Sequence, residues 1–151
     1  MQKIITQNSK QTEELAKLLA MEIRGGEIIC LSGDLGAGKT TFAQGLLEGL
    51  GVEGPYTSPT FAIMKEYEVN LKFQISNLKL LKVYHIDTYR VEERDILELG
   101  WKDFSGKKNA VTIVEWAERI KDIVPAGALW IHFSWKNENE REIRIHSQEN
   151  S

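Results

Sequence analysis

The chain has one cysteine, Cys30, among 151 residues. A domain of this length buries about two thirds of its unfolded surface and needs no disulfides to fold. Cys30 lies inside an apolar run, where a buried, inert thiol suited to a reducing cytosol is expected. No run of about 18 apolar residues occurs, which excludes a membrane-spanning helix. The opening Met1-Gln2-Lys3-Ile4-Ile5-Thr6 also lacks the apolar core of a signal peptide, so a soluble, cytoplasmic protein with no membrane partner is expected. Long runs of one charge sign are absent as well: 19 basic and 22 acidic residues give a formal charge of -3, with a pI of about 5.7. A protein that grips nucleic acid by itself through backbone phosphates carries a basic face and a high pI. Any nucleic-acid role is therefore expected to be indirect. The sequence shows no internal repeat, low-complexity tract, linker, Cys/His metal cluster or nucleophile elbow, and its length predicts one domain over 1–151.

What is present is a phosphate-cradling stretch, Gly33-Asp34-Leu35-Gly36-Ala37-Gly38-Lys39-Thr40, which fits G-x-x-x-x-G-K-S/T at every fixed position. Glu27 to Ser32 in front reads as a short apolar strand, and Thr41-Phe42-Ala43-Gln44-Gly45-Leu46-Leu47 behind as an amphipathic helix. Strand, loop and helix are the context this chemistry needs. Gly33, Gly36 and Gly38 let successive N–H groups point at one phosphate chain without a Cβ in the way. The helix start adds its positive end, Lys39 can reach the β- and γ-phosphates, and Thr40 offers a hydroxyl to Mg²⁺. Thr41 is a weaker candidate for an α-phosphate contact.

Along the rest of the chain, Ser9 is expected to cap a helix with Glu13 and Glu14 near its positive end and Leu15, Leu18, Leu19 and Ile23 on one face, stopped by Gly25-Gly26. The helix after the phosphate loop should run to Gly51. Tyr56 to Phe61 is extended by Pro59 and leads into a strand over 62–68. Residues 69–82 suggest an extra hairpin or two lengthened strands, followed by a strand over 83–90. A short acidic helix spans Glu92 to Leu99, an apolar strand Asn109 to Trp116, and a helical turn or two Ala117 to Ile123. Leu129 to Phe133 and Arg141 to Ile145 should pair as a hairpin. Hairpins interrupting a helix-strand alternation predict an α/β fold with a mixed, partly antiparallel sheet and helices packed on it.

A nucleoside triphosphatase also needs an acid for Mg²⁺ and a group that positions the attacking water. Glu115 ends an apolar run, Val111-Thr112-Ile113-Val114, of the kind that delivers its last side chain to a Mg²⁺ site; the plainer reading is a salt-bridged strand end. Asp87 sits in His85-x-Asp87-x-Tyr89, which alternation puts on one strand face, either as a working acid or as a hydrogen-bond ladder. Thr57, Ser58 and Thr60 occupy the loop where nucleotide switches present a hydroxyl to Mg²⁺ or the γ-phosphate, or else form an ordinary Ser-Pro turn. Trp116 is a core aromatic or an exposed contact.

Taken in order, the Gly33 to Phe42 block, Thr57-Ser58-Pro59-Thr60-Phe61, His85-x-Asp87-x-Tyr89-Arg90 and Glu115-Trp116 resemble the signature of the bacterial TsaE (YjeE) family. The resemblance covers nearly the whole chain; residues 69–82 are longer than the family's usual connection. It implies a single P-loop ATPase domain of three layers, acting in the biosynthesis of N6-threonylcarbamoyladenosine in tRNA. It further implies ATP and Mg²⁺ as cofactors and the TsaB and TsaD proteins as partners, with tRNA met only through that complex. By position, Lys39 and the loop amides would hold phosphates, and Thr40 and Glu115 would serve Mg²⁺. Asp87 would be the essential acid near the γ-phosphate, Thr57 to Thr60 a switch loop, and Trp116 a neighbour of the nucleotide or the partner.

Other readings share the cradle. A small-molecule kinase would add an arginine-rich lid, yet Arg90 and Arg94 are the only nearby pair. A GTPase would show an Asn-Lys-x-Asp stretch, which is absent. A non-hydrolysing ATP sensor that controls partner docking differs from the ATPase only in whether phosphate is released.

Overall fold

The computed structural model describes residues 2–34, 36–56, 63–70 and 82–147. Two segments are buried along almost their whole length, β2 (Ile28–Gly33) and β5 (Ala110–Glu115). Strands covered on both faces read as continuous apolar runs and belong in the middle of a parallel sheet. They pair in parallel with each other, and extend the parallel block outward to β6 (Leu129–Trp135) on one side and β4 (Lys82–Asp87) on the other. Antiparallel pairs close the flanks: β3 (Met64–Glu68) on β4, and β7 (Arg141–Ser147) between β6 and β1 (Gln2–Thr6). The resulting order is β1-β7-β6-β2-β5-β4-β3 in one seven-stranded sheet.

Side chains alternate across this sheet and feed two cores. On one face Ile29, Leu31, Val111, Ile113 and Phe133 pack beneath α1 (Ser9–Ala20) and α2 (Lys39–Gly49), which contribute Ala16, Phe42, Leu46 and Leu47. On the other, Ile28, Cys30, Ile86 and Val114 meet α3 (Glu93–Glu98), α4 (Trp101–Phe104) and a 3-10 helix over Ala117–Ile123. Three layers with a mixed sheet are as expected. Burial pushes the Cys30 thiol up to about 12, so it remains protonated and inert at neutral pH.

Several local expectations give way. Asn8, not Ser9, caps α1, its side-chain oxygen accepting from the Gln11 N–H at 2.8 Å. No acid therefore falls in the first turn. Of the expected apolar face, Leu15, Leu19 and Ile23 pack on the core and Leu18 does not, being 63% exposed; the fully buried stripe of α1 is Thr12, Ala16 and Ala20, small side chains that allow close approach to α2. The strand expected to reach Arg90 stops at Asp87, whose side chain accepts from the Tyr89 N–H at 2.9 Å and turns the chain. Neither the edge strand β1 nor the single turn α4 was anticipated. The switch-loop residues and nearly all of the 69–82 segment lie outside the described residues.

Candidate functional site

The site forms where β2 ends and α2 begins. Gly38 caps α2 in a left-handed conformation (φ 103°) and supplies no side-chain acceptor. The first amides of an 11-residue helix therefore open toward a cavity of about 200 Å³ lined by Gly36, Gly38, Lys39, Thr40, Thr41, Glu115 and Trp116. Uncapped amides at the positive end of a helix favour an anion.

Lys39 is 5% exposed. Its Nζ donates to the carbonyls of Gly33 and Asp34, each at 2.7 Å, and stands 3.9 Å from the centroid of the Trp116 ring. Desolvation lowers its pKa, opposed by the charges of Glu118, Glu115, Asp34 and Asp87. The cation is thus held among neutral acceptors and an aromatic face with four carboxylates around it.

Thr40 and Glu115 meet across the cavity, the Thr40 hydroxyl donating to Glu115 Oε1 at 2.9 Å. Glu115 is almost fully buried because β5 carries it into the sheet centre beside Leu31 of β2 and Asp87 of β4. Its other oxygen, Oε2, lies 2.6 Å from His85 Nε2. Trp116 follows in a left-handed conformation (φ 59°), unusual for a large residue. The Thr88 hydroxyl, 3.0 and 2.6 Å from the carbonyl oxygens of Glu115 and Trp116, holds it there. The indole lies against both the Lys39 ammonium and the Tyr89 ring, whose centroid is 4.9 Å away at a tilt of 42°. Glu118 accepts from the Gly33 N–H at 2.9 Å, tying the 3-10 helix to the loop.

Asp87 is half-buried, and its pKa is raised, first by desolvation and further by the Glu115 charge, against the Tyr89 N–H that favours the ionised form. Unfolded, this carboxyl titrates at its ordinary 3.8; folded, it keeps its proton to higher pH. Between the two values the folded state binds more protons, so stability falls as pH rises from the ordinary value through the raised one. Asp87→Asn keeps the Oδ1 acceptor for Tyr89 and removes the charge. Its melting temperature at neutral pH should exceed the parent's by roughly a few degrees, the size of a single stabilising change, and the gap should close in acid. A variant no more stable at neutral pH, or one whose advantage grows in acid, would contradict this origin.

Eleven residues singled out from sequence come together here: Gly33, Asp34, Gly36, Ala37, Gly38, Lys39, Thr40, Thr41, Asp87, Glu115 and Trp116. Ala37 turns its methyl into the core and Asp34 accepts from the Trp135 N–H at 3.3 Å, so both serve the loop's shape. Leu35, Thr57, Ser58 and Thr60 lie outside the described residues. Sequence reasoning missed Glu118, and also a second cleft of about 100 Å³ beside the loop. There Asn8, Ser9, Thr12, Asn139 and Arg141 join Gly36, Gly38 and Thr41. No linear motif announces it, because its residues come from distant parts of the chain that the β1-β7 pairing brings together.

The donor set suits a hard divalent cation such as Mg²⁺. A hydroxyl and a carboxylate oxygen converge, and a second, half-buried carboxyl stands beside them. Among the described residues no three His, Cys, Asp or Glu side chains form a metal cage, and Mg²⁺ does not require one where phosphates and water complete its shell.

Comparison with known proteins gives a consistent result. The family model described as "Threonylcarbamoyl adenosine biosynthesis protein TsaE" matches residues 6–143. A "tRNA threonylcarbamoyladenosine biosynthesis protein TsaE" of Bacillus subtilis is 41% identical over 139 residues, covering 91% of this chain and 80% of the relative. One of the same description from Aquifex aeolicus is 35% identical over 150 residues, covering 97% and 96%. The crystal structure of Bacillus subtilis YdiB superposes with a TM-score of 0.74 at 35% identity, covering 97% of this chain and 85% of that one.

Proposed function

The chain belongs to the TsaE family of threonylcarbamoyl adenosine biosynthesis proteins, and from this we propose that it binds ATP with Mg²⁺ and hydrolyses it. In this reading it works with the TsaB and TsaD proteins, in the cytoplasm, in forming N6-threonylcarbamoyladenosine on tRNA. The observation that carries the reading is the Thr40–Glu115 contact beside Lys39 at an uncapped helix start. Cation, metal-facing oxygens and anion-seeking amides are the three parts phosphoryl transfer requires.

The β- and γ-phosphates take the loop amides and Lys39, which exchanges the Gly33 and Asp34 carbonyls for phosphate oxygens. Thr40 and Glu115 would hold Mg²⁺, which would supply positive charge to offset the negative charge of the phosphates. Asp87, with its raised pKa, accepts a hydrogen bond from the attacking water. Thr57, Ser58 and Thr60 are proposed as the switch that senses the γ-phosphate. The cleft at Asn8, Thr12, Asn139 and Arg141 shares Gly36, Gly38 and Thr41 with the phosphate cavity, which supports its use as the nucleoside end. Among the described residues no arginine lines the phosphate cavity. Turnover by the isolated chain should therefore be slow, with the partners supplying order or charge. Contact with tRNA is assigned to the partners, in keeping with the formal charge of -3.

Asp87→Ala and Glu115→Ala should each retain part of the ATP binding while turnover falls by ~100-fold or more. Single-turnover phosphate release read beside titration calorimetry separates the two effects. Parental hydrolysis by both variants would remove these roles.

A further inference from the structure

His85 lies outside the cavity lining, yet it makes the shortest contact to the acid that faces the cavity. Its side chain is 2% exposed and that of Glu115 3%, with Nε2 and Oε2 2.6 Å apart. An ionised carboxylate offers acceptors alone, so His85 donates through Nε2. Among the described residues its Nδ1 has no hydrogen-bond partner. A buried imidazole with one bare nitrogen costs free energy that an apolar side chain of similar size would not. What offsets that cost is the single bond to Glu115. Through it Oε2 is fixed inward, and Oε1 is left toward Thr40 and the cavity. The arrangement extends over both strands, because His85 and Asp87 share a face of β4 and pair in register with Ile113 and Glu115 of β5.

We propose that His85 is a positioning residue for Glu115: its Nε2–H holds the carboxylate so that one oxygen is presented to a divalent cation, setting how strongly Mg²⁺ strengthens nucleotide binding. This rests on the Mg²⁺–ATP reading above. It makes His85 neither a metal ligand nor a contact of the nucleotide. Hydrogen-bond partners of metal-facing carboxylates are typically worth about 10- to 100-fold in metal affinity.

Two substitutions separate position from packing. In His85→Gln the side-chain amide nitrogen reaches about as far as Nε2 and can donate to Glu115; in His85→Asn it stops near the place of Nδ1. Titration calorimetry with ATP, once in EDTA and once with excess Mg²⁺, gives a ratio of affinities for each protein. The parent should bind more tightly with Mg²⁺. His85→Asn should lose about 10- to 100-fold of that gain with its affinity in EDTA unchanged, and His85→Gln should recover most of it. A gain equal to the parent's in His85→Asn overturns the proposal, as does an equal loss in both variants or a parent whose ATP affinity ignores Mg²⁺. A parent that binds no ATP in either condition overturns instead the reading on which the proposal rests. The parent's imidazole ¹H–¹⁵N spectrum decides even where a variant fails to fold. A proton on Nε2 that persists with Mg²⁺ and ADP supports the role; a proton on Nδ1 with none on Nε2 overturns it.

Discussion

Lys39→Ala should abolish ATP binding while leaving the fold intact. The side chain provides the positive charge at the loop, and Glu118, Glu115, Asp34 and Asp87 act on it from around the cavity. Without it the loop amides and the helix start must hold a polyanion against four carboxylates. Truncating one member of a buried, hydrogen-bonded charge pair costs about 2–5 kcal/mol, or roughly 30- to several thousand-fold in affinity. The fold should tolerate the change, because among the described residues Nζ meets only the Gly33 and Asp34 carbonyls and the indole of Trp116. Calorimetry with ATP and a thermal melt of the same sample check both halves. Binding within a fewfold of the parent would contradict the cradle, and collapse of the melt would show the lysine to be structural.

Gly33→Ala should instead destroy stability. Gly33 has φ +120°, and a Cβ built on it would lie 2.1 Å from the Phe133 carbonyl oxygen and 2.8 Å from the Phe133 nitrogen. Those atoms belong to β6, the partner of β2 in the middle of the sheet, and the same carbonyl accepts the Asp34 N–H at 3.1 Å. Neither strand can move aside without breaking pairing across the phosphate loop. Backbone strain at a positive φ adds about 1–3 kcal/mol to the steric cost. A total loss of about 4 kcal/mol or more places the substitution among the exceptional ones, lowering the melting temperature by roughly 10 °C. Gly36 makes a useful contrast. Its φ is +71°, but among the described residues beyond its chain neighbours the nearest atom to an added Cβ is Trp135 Nε1 at 4.0 Å, so Gly36→Ala should cost only the local strain. Denaturant unfolding of the pair tests the difference; equal losses would contradict the role given to β6.

What could be read in advance was whatever one local pattern decides. The Gly33 to Thr40 spacing carries its own geometry, and the unbroken apolar runs of β2 and β5 announce central strands ending at Gly33 and Glu115. Tertiary partners decided the rest. His85 looked like part of a polar face shared with Asp87 and Tyr89; it is buried because Glu115 arrives from β5 to accept its bond. Tyr89 lies beyond the strand end and stacks on Trp116, which answers the choice between core aromatic and exposed contact with a third option, a ring clasped over Lys39. Leu15 and Leu19 of α1, and Ile23 after it, pack on the core as their spacing announced, while Leu18 turns out and the stripe nearest α2 falls to the small Ala16 and Ala20. The cleft at Asn8 and Arg141 depends on β1, a strand too short and too exposed to stand out in sequence.

Hydrolysis of ATP at the Lys39 loop, with the TsaB and TsaD proteins as partners, is proposed here and can be tested directly. The most direct measurement is phosphate release from ATP and Mg²⁺ by the chain alone and with purified TsaB and TsaD, with Lys39→Ala as the blank. The account predicts slow release alone, stimulation by the partners, and loss of both in the variant. Tight ATP binding with no release in either condition would contradict it and favour a nucleotide sensor that controls docking.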